Sequence, residues 1–197
     1  MRLWMLVDPG FPELAGKADQ LYASWELVTD RDWFERPYRW MVAQMGWRGL
    51  DTNGHAPFWA WHSWGGPGKR PHAYAHHATV PFLRLTLEVP ERLALLSDFM
   101  NWHAVLCNYA CTLTEDEYNA FEQLEVCQET QSRIEQTWPR IFDLHGSKDP
   151  EWNGKDEDRL IQACLPWFEH EWIRRIERFE PPVWNRPRRP PPSMREV

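Results

Sequence analysis

The stretch Phe82–Val89, FLRLTLEV, limits the fold more tightly than any other part of the chain. Leu85, Leu87 and Val89, with Phe82 or Leu83 before them, alternate with Arg84, Thr86 and Glu88. A period of two sends successive side chains to opposite faces of a strand, so this pattern predicts a central strand with Leu85 and Leu87 in the core. Pro90 ends it. Such a strand needs partners, and the sequence offers several. Arg2–Val7 is a short apolar run closed by Asp-Pro-Gly, which reads as a strand entering a turn. In Pro57–Trp64, PFWAWHSW, Phe58, Ala60 and His62 point one way and Trp59, Trp61 and Ser63 the other. Rings on both sides imply a strand covered on both faces. Short strands are also expected in Ala94–Phe99 and Arg159–Cys164.

Helical spacing alternates with these strands. Leu14, Ala18, Leu21, Trp25 and Val28 recur at three and four, which predicts one helix over Pro12–Val28. A second is expected to follow Pro37, with Tyr38, Met41 and Met45 on one face. A third runs from about Asp98 to Asn108. Thr114-x-x-Glu117 has the form of a capping box and opens one or two polar helices towards Trp138. A last helix is expected from Pro166, with Trp167 or Phe168, Trp172, Ile176 and Phe179 as its stripe. The fold class predicted is α+β, a small twisted mixed or antiparallel sheet flanked by helices. Residues 1–180 are expected to form a single globular domain, and the proline- and arginine-rich residues 181–197 a disordered tail.

A chain of 197 residues, 43% hydrophobic and 26% charged, is in the globular class and long enough to fold without disulfide or metal. Its four cysteines have no paired C-x-x-C spacing, and the apolar start is too short for a secretory core or a membrane span. These features predict reduced thiols in a cytoplasmic protein. The net charge of −7 argues against a general grip on nucleic acid, which needs a basic face, though a local basic patch is compatible with it. The unusual feature is tryptophan: 14, against 5 Tyr and 9 Phe. Indoles serve equally as large core fillers and as the walls of a groove where flat ligands stack.

Two constellations could carry chemistry. Trp59, Trp61, His62 and Trp64 precede the loop Gly65–Ala78, which carries Lys69, Arg70 and three histidines. Rings beside a glycine-rich basic loop could sandwich a base and hold its phosphates, or could be a two-sided buried strand followed by a mobile loop. The loop lacks the spacing of a nucleotide-binding P-loop. In the second constellation, Ser97 and Asp98 stand where a strand turns into a helix bearing Trp102 and His103. Asp98 beside His103 could make a general base, or Asp98 could cap the helix. His103, Cys107 and Cys111 share a helix face at metal-ligand spacing but lack a fourth ligand.

Taken in order, RLWMLV, YRWMVAQM (38–45), PFWAWHSW (57–64), LEVPERLALLSDFMNWHAVL (87–106), WPRIFDL (138–144) and IQACLPWFEHEWIRRIERF (161–179) resemble an uncharacterised bacterial family, a domain of unknown function of about this length. The order of elements is more distantly similar to ADP-ribosyltransferase-like proteins. That likeness implies NAD or another nucleotide held in a Trp-rich cleft. Arg2 would match the first-strand basic residue, Tyr38 a ring beside the nicotinamide, and Gln162 the start of the late-strand motif, whose catalytic glutamate falls on Cys164. Trp59, Trp61, His62 and Trp102 would line the cleft, with Asp98 and His103 orienting ribose or moving protons. The alternative expectation is a non-enzymatic binding protein for a peptide, a protein partner or single-stranded nucleic acid.

Overall fold

The protein is described by a computed structural model over residues 1–72, 80–125, 127–145 and 149–180. The expected tail, two of the loop histidines (His76 and His77) and the first residues of the acidic stretch after Gly146 lie outside the described residues.

Among the described residues six strands form one sheet: β1 (Arg2–Val7), β2 (Phe58–Ser63), β3 (Phe82–Glu88), β4 (Leu95–Asp98), β5 (Ile161–Leu165) and β6 (Ile173–Phe179). Their order is β4-β5-β2-β1-β3-β6, and every described pairing is antiparallel. The helices are α1 (Phe11–Ala15), α2 (Arg31–Trp47), α3 (Phe99–Leu106), α4 (Glu115–Glu122), α5 (Gln128–Thr137) and α6 (Pro150–Asn153). The fold is α+β, a twisted antiparallel sheet flanked by helices.

The apolar side of the alternation builds the core. Leu87 is paired with Leu3 and Leu85 with Met5 on one side, and Ala60 with Ala163 further along the sheet. All six belong to one buried cluster that also takes in Met41 and Met45 of α2, Trp102 and Val105 of α3, Trp138, Phe168 and Trp172. Burial of such side chains contributes roughly 1.5–3 kcal/mol each relative to exposure.

Three expected helices differ from those found. The helix over Pro12–Val28 stops at Ala15, where the Gly16 N–H bonds back to the carbonyls of Pro12 and Leu14. Beyond it the backbone of Leu21 exchanges both hydrogen bonds with Phe168, at 2.8 Å each, so tertiary pairing replaces the helical ladder. Helix α2 begins at Arg31 rather than after Pro37, and Pro37 sits buried inside it. One missing backbone donor does not break a helix held by a buried face. In place of the helix expected from Pro166, Phe168 bridges Leu21, a short 3-10 turn spans His170–Trp172, and strand β6 follows from Ile173. Ile176 and Phe179, three apart in the expected stripe, stand in regular register opposite Leu85 and Phe82 and therefore face opposite sides of the sheet, so their spacing is not that of one helical face. A β-bulge lies before them: Ile173 pairs with Leu87 and Ile176 with Leu85, so Arg174–Arg175 opposes Thr86 alone.

Candidate functional site on the half-covered face of the sheet

A single row of directly opposed residues crosses all six strands: Ser97, Gln162, Trp61, Trp4, Thr86 and Arg175. Opposed residues share a face, so this row describes one side of the sheet from edge to edge. Its two halves have different surroundings.

The half on β4, β5 and β2 is covered by helices. Trp59, on the same side as Trp61, lies 4.9 Å from Trp102 of α3 and 5.7 Å from Tyr38 of α2, centroid to centroid. Tyr38 and Trp102 are 5.7 Å apart, closing a three-ring cluster. Burial pushes the Tyr38 hydroxyl pKa up, and the nearby Cys164 thiol adds to the effect. The buried Trp59 Nε1 has no hydrogen-bond partner among the described residues, although the Tyr38 ring packs edge-on to the indole. Beneath Trp59, Cys164 is fully buried, and burial drives its thiol far above the ordinary range. Gln162 is buried and donates to Ser97 Oγ at 3.3 Å. His62 is on the opposite side of β2. Its buried Nδ1 has no partner among the described residues, and burial, then the N-terminal ammonium, lowers its pKa.

Asp98 ends β4 and opens α3. One carboxylate oxygen accepts the Asn101 backbone N–H at 2.8 Å, an N-cap. The buried Arg159 guanidinium approaches the other oxygen at 3.8 Å. Burial raises the Asp98 pKa, while the Asn101 N–H, Arg159 and the Met100 N–H pull the other way. His103 is exposed on α3, with Nδ1 2.9 Å from the Phe99 carbonyl and its ring edge-on to Phe99. Among the described residues no hydrogen bond or ion pair joins Asp98 to His103. Cys111 is buried, with its Sγ directed at the Asn101 carbonyl, and it forms no ligand group with His103 and Cys107.

The half on β1, β3 and β6 carries charged groups. Here a cavity of about 440 Å³ is lined by Arg2, Arg70, Arg174, Arg175, Thr86 and Glu88, with the indole of Trp4 at its floor. Successive residues of a regular strand point to opposite faces, but the bulge in β6 lets both Arg174 and Arg175 reach this cavity. Arg70 arrives from the turn after β2, where Trp64 N–H bonds to the Lys69 carbonyl at 2.8 Å. One row away, Arg84 opposes Glu177. At the border between the halves, Trp61 meets Trp64 at 4.4 Å and Phe99 at 4.7 Å, both edge to face.

The structure therefore brings Trp59, Trp102 and Tyr38 into one packed cluster, sets Trp61 against Phe99, which in turn meets His103, and places Arg2 in the arginine-lined cavity. The sequence pattern gave no reason to include Trp4, Thr86, Arg174 or Arg175. The Arg174-Arg175 pair would have suggested them only if Ile173–Phe179 had been read as a bulged strand beside FLRLTLEV.

The chain belongs to the family described as Domain of unknown function (DUF3841), whose pattern matches residues 15–174. The match spans most of the chain, from the end of α1 into β6. No curated protein matches the chain, and no solved structure matches it. Among the described residues no helix is long and apolar enough to cross a membrane.

Proposed function

We propose that this protein binds a nucleotide-type ligand, NAD among the candidates, on the half-covered face of the sheet. The flat ring would lie against the indoles at the Trp4–Trp61–Trp64 border and the phosphates against the arginines. The observation that carries this reading is the cavity itself: four arginines and Trp4 line it, in a chain whose net charge is −7. Arginine forks match phosphate oxygens two at a time, and indole faces stack on bases.

Binding without ADP-ribosyl transfer is the form of this reading that the residues support. At the position where the transferase likeness calls for a carboxylate stands Cys164, fully buried with its thiol pKa raised. A shifted register would bring Glu169 or Glu171 to that position; Glu169 is engaged by the Trp167 indole N–H at 2.7 Å, and Glu171 is exposed in the turn into β6. The register observed places Cys164, not a carboxylate, opposite Trp59. The test is titration of the intrinsic tryptophan fluorescence with NAD and with ADP-ribose. Saturable quenching below about 1 mM, lost in Arg175→Gln, is the expected result. A linear, non-saturating response in the intact protein would overturn the reading.

A protein partner is the second reading, favoured by one observation. Leu27, Trp33 and Trp47, in or next to α2, are all more than half exposed. Large exposed rings mark contact surfaces on soluble domains.

A further inference from the structure

Glu177 is held by three arginines. Arg84 donates to its Oε2 from Nε at 3.2 Å and Nη2 at 3.1 Å, Arg70 Nη1 donates to the same oxygen at 3.2 Å, and Arg175 Nη2 is 3.2 Å from Oε1. The three differ in freedom. The Arg84 side chain is 6% exposed, donates Nη1 to the Pro71 carbonyl at 2.7 Å, and lies 5.0 Å from the Phe179 ring centroid. It is built in. Arg70 and Arg175 are 51% and 65% exposed, and both also line the cavity.

We propose that the Glu177 carboxylate is a resident stand-in for the ligand's anion, and that the cavity consequently selects a group carrying two negative charges, a phosphoanhydride, over a single carboxylate or phosphodiester. The proposal rests on the nucleotide-binding reading and names the chemistry of its anionic end. A monoanion that draws Arg70 and Arg175 away from Glu177 exchanges one single charge for another and gains little. A dianion meets Arg70 and Arg175 together with Arg2 and Arg174, and gains a charge interaction that Glu177 does not supply. Glu177 need not move, because Arg84 keeps it compensated at the back of the site. Only the two exposed guanidinium groups swing, about their long flexible stems. Glu88, which pairs with Arg2 at 3.3 Å and lines the cavity, opposes any anion there, so the selection for double charge rests on the arginines.

The experiment is calorimetric titration of the full chain with a pyrophosphate esterified once on each phosphorus (dimethyl pyrophosphate, two charges), and with acetate and dimethyl phosphate (one charge each), in buffer free of divalent cations. The proposal expects dimethyl pyrophosphate to bind and the two monoanions not to. It expects Glu177→Gln to bind dimethyl pyrophosphate about three- to tenfold more tightly than the wild type, the range set by releasing two exposed ion pairs. Glu180→Gln removes the same charge from the end of the same strand, where its partner is Arg178, and should leave affinity within about twofold. Arg70→Gln and Arg175→Gln should each weaken binding with an unchanged circular dichroism spectrum. If Glu177→Gln fails to fold, Glu177→Asp draws the carboxylate back from the two exposed arginines and should shift affinity in the same direction. Equal affinities for Glu177→Gln and Glu180→Gln, or acetate binding as tightly as dimethyl pyrophosphate, would overturn the proposal. Dimethyl pyrophosphate binding with this pattern, but no response to NAD, would sink the nucleotide reading and leave the dianion site. NAD binding indifferent to Glu177 would do the reverse.

Discussion

Asp98 shows how one side chain can satisfy a structural demand at an electrostatic cost. It caps α3, where the first N–H groups of the helix have no internal acceptor, yet it does so while buried. Burial raises its pKa above the ordinary 3.8, and the cap hydrogen bond and Arg159 only partly oppose this. The native protein therefore holds the proton more tightly than the unfolded chain. The corresponding stability is fully present below the ordinary carboxylate value and is lost as pH rises through the raised native value. Asp98→Asn retains a capping oxygen and removes the titration. In urea unfolding across acidic pH, the stability of the wild type relative to Asp98→Asn should fall as pH rises through that window. A rise with pH instead would mean that Arg159 and the helix terminus outweigh desolvation.

Among the elements, β3 has the clearest physical logic. It has β1 on one side and β6 on the other, and Leu85 and Leu87 are fully buried. Leu85→Ala and Leu87→Ala should each cost about 2–5 kcal/mol in equilibrium unfolding, the usual range for a core truncation. The edge strand β6 gives the matching control. Ile176 pairs with Leu85 but is 48% exposed, so Ile176→Ala should cost about 1 kcal/mol or less. Comparable losses at Ile176 and Leu85 would contradict this arrangement of the bulged strand. The bulge also matters beyond stability, because it brings two adjacent arginines to one cavity.

At the scale of the molecule, one face of the sheet is divided between an aromatic half under α2 and α3 and a charged half centred on Trp4. The overall charge of −7 repels an anionic ligand at a distance, whereas the arginines attract it in contact. The Debye length is about 8 Å at physiological ionic strength, so the distant term is largely screened there. If the nucleotide reading holds, ligand at about 100 times its dissociation constant should raise the unfolding free energy by about 2.7 kcal/mol. Affinity should weaken as salt rises, since the local guanidinium contacts dominate. Affinity that strengthens with salt would show that long-range repulsion governs binding and would remove the arginine cavity as its seat.

Local patterns determined much of this protein. The alternation in FLRLTLEV, the two-sided ring pattern of PFWAWHSW and the cap at Asp98 each depend on neighbours within a few residues, and those segments are found as a paired strand, a strand with rings on both sides and a helix start. The α+β class follows from the same signals. What the tertiary structure alone decided is which distant segments meet. Leu21 leaves its expected helix because the Phe168 backbone offers it both hydrogen bonds. Ile173–Phe179 is a strand because β3 presents an edge to it, which local spacing does not reveal. Trp4 joins Trp61, and Arg70 joins Arg174 and Arg175, through pairings between residues far apart in the chain. No local spacing encodes such a meeting, since it depends on the order in which strands take their places in the sheet.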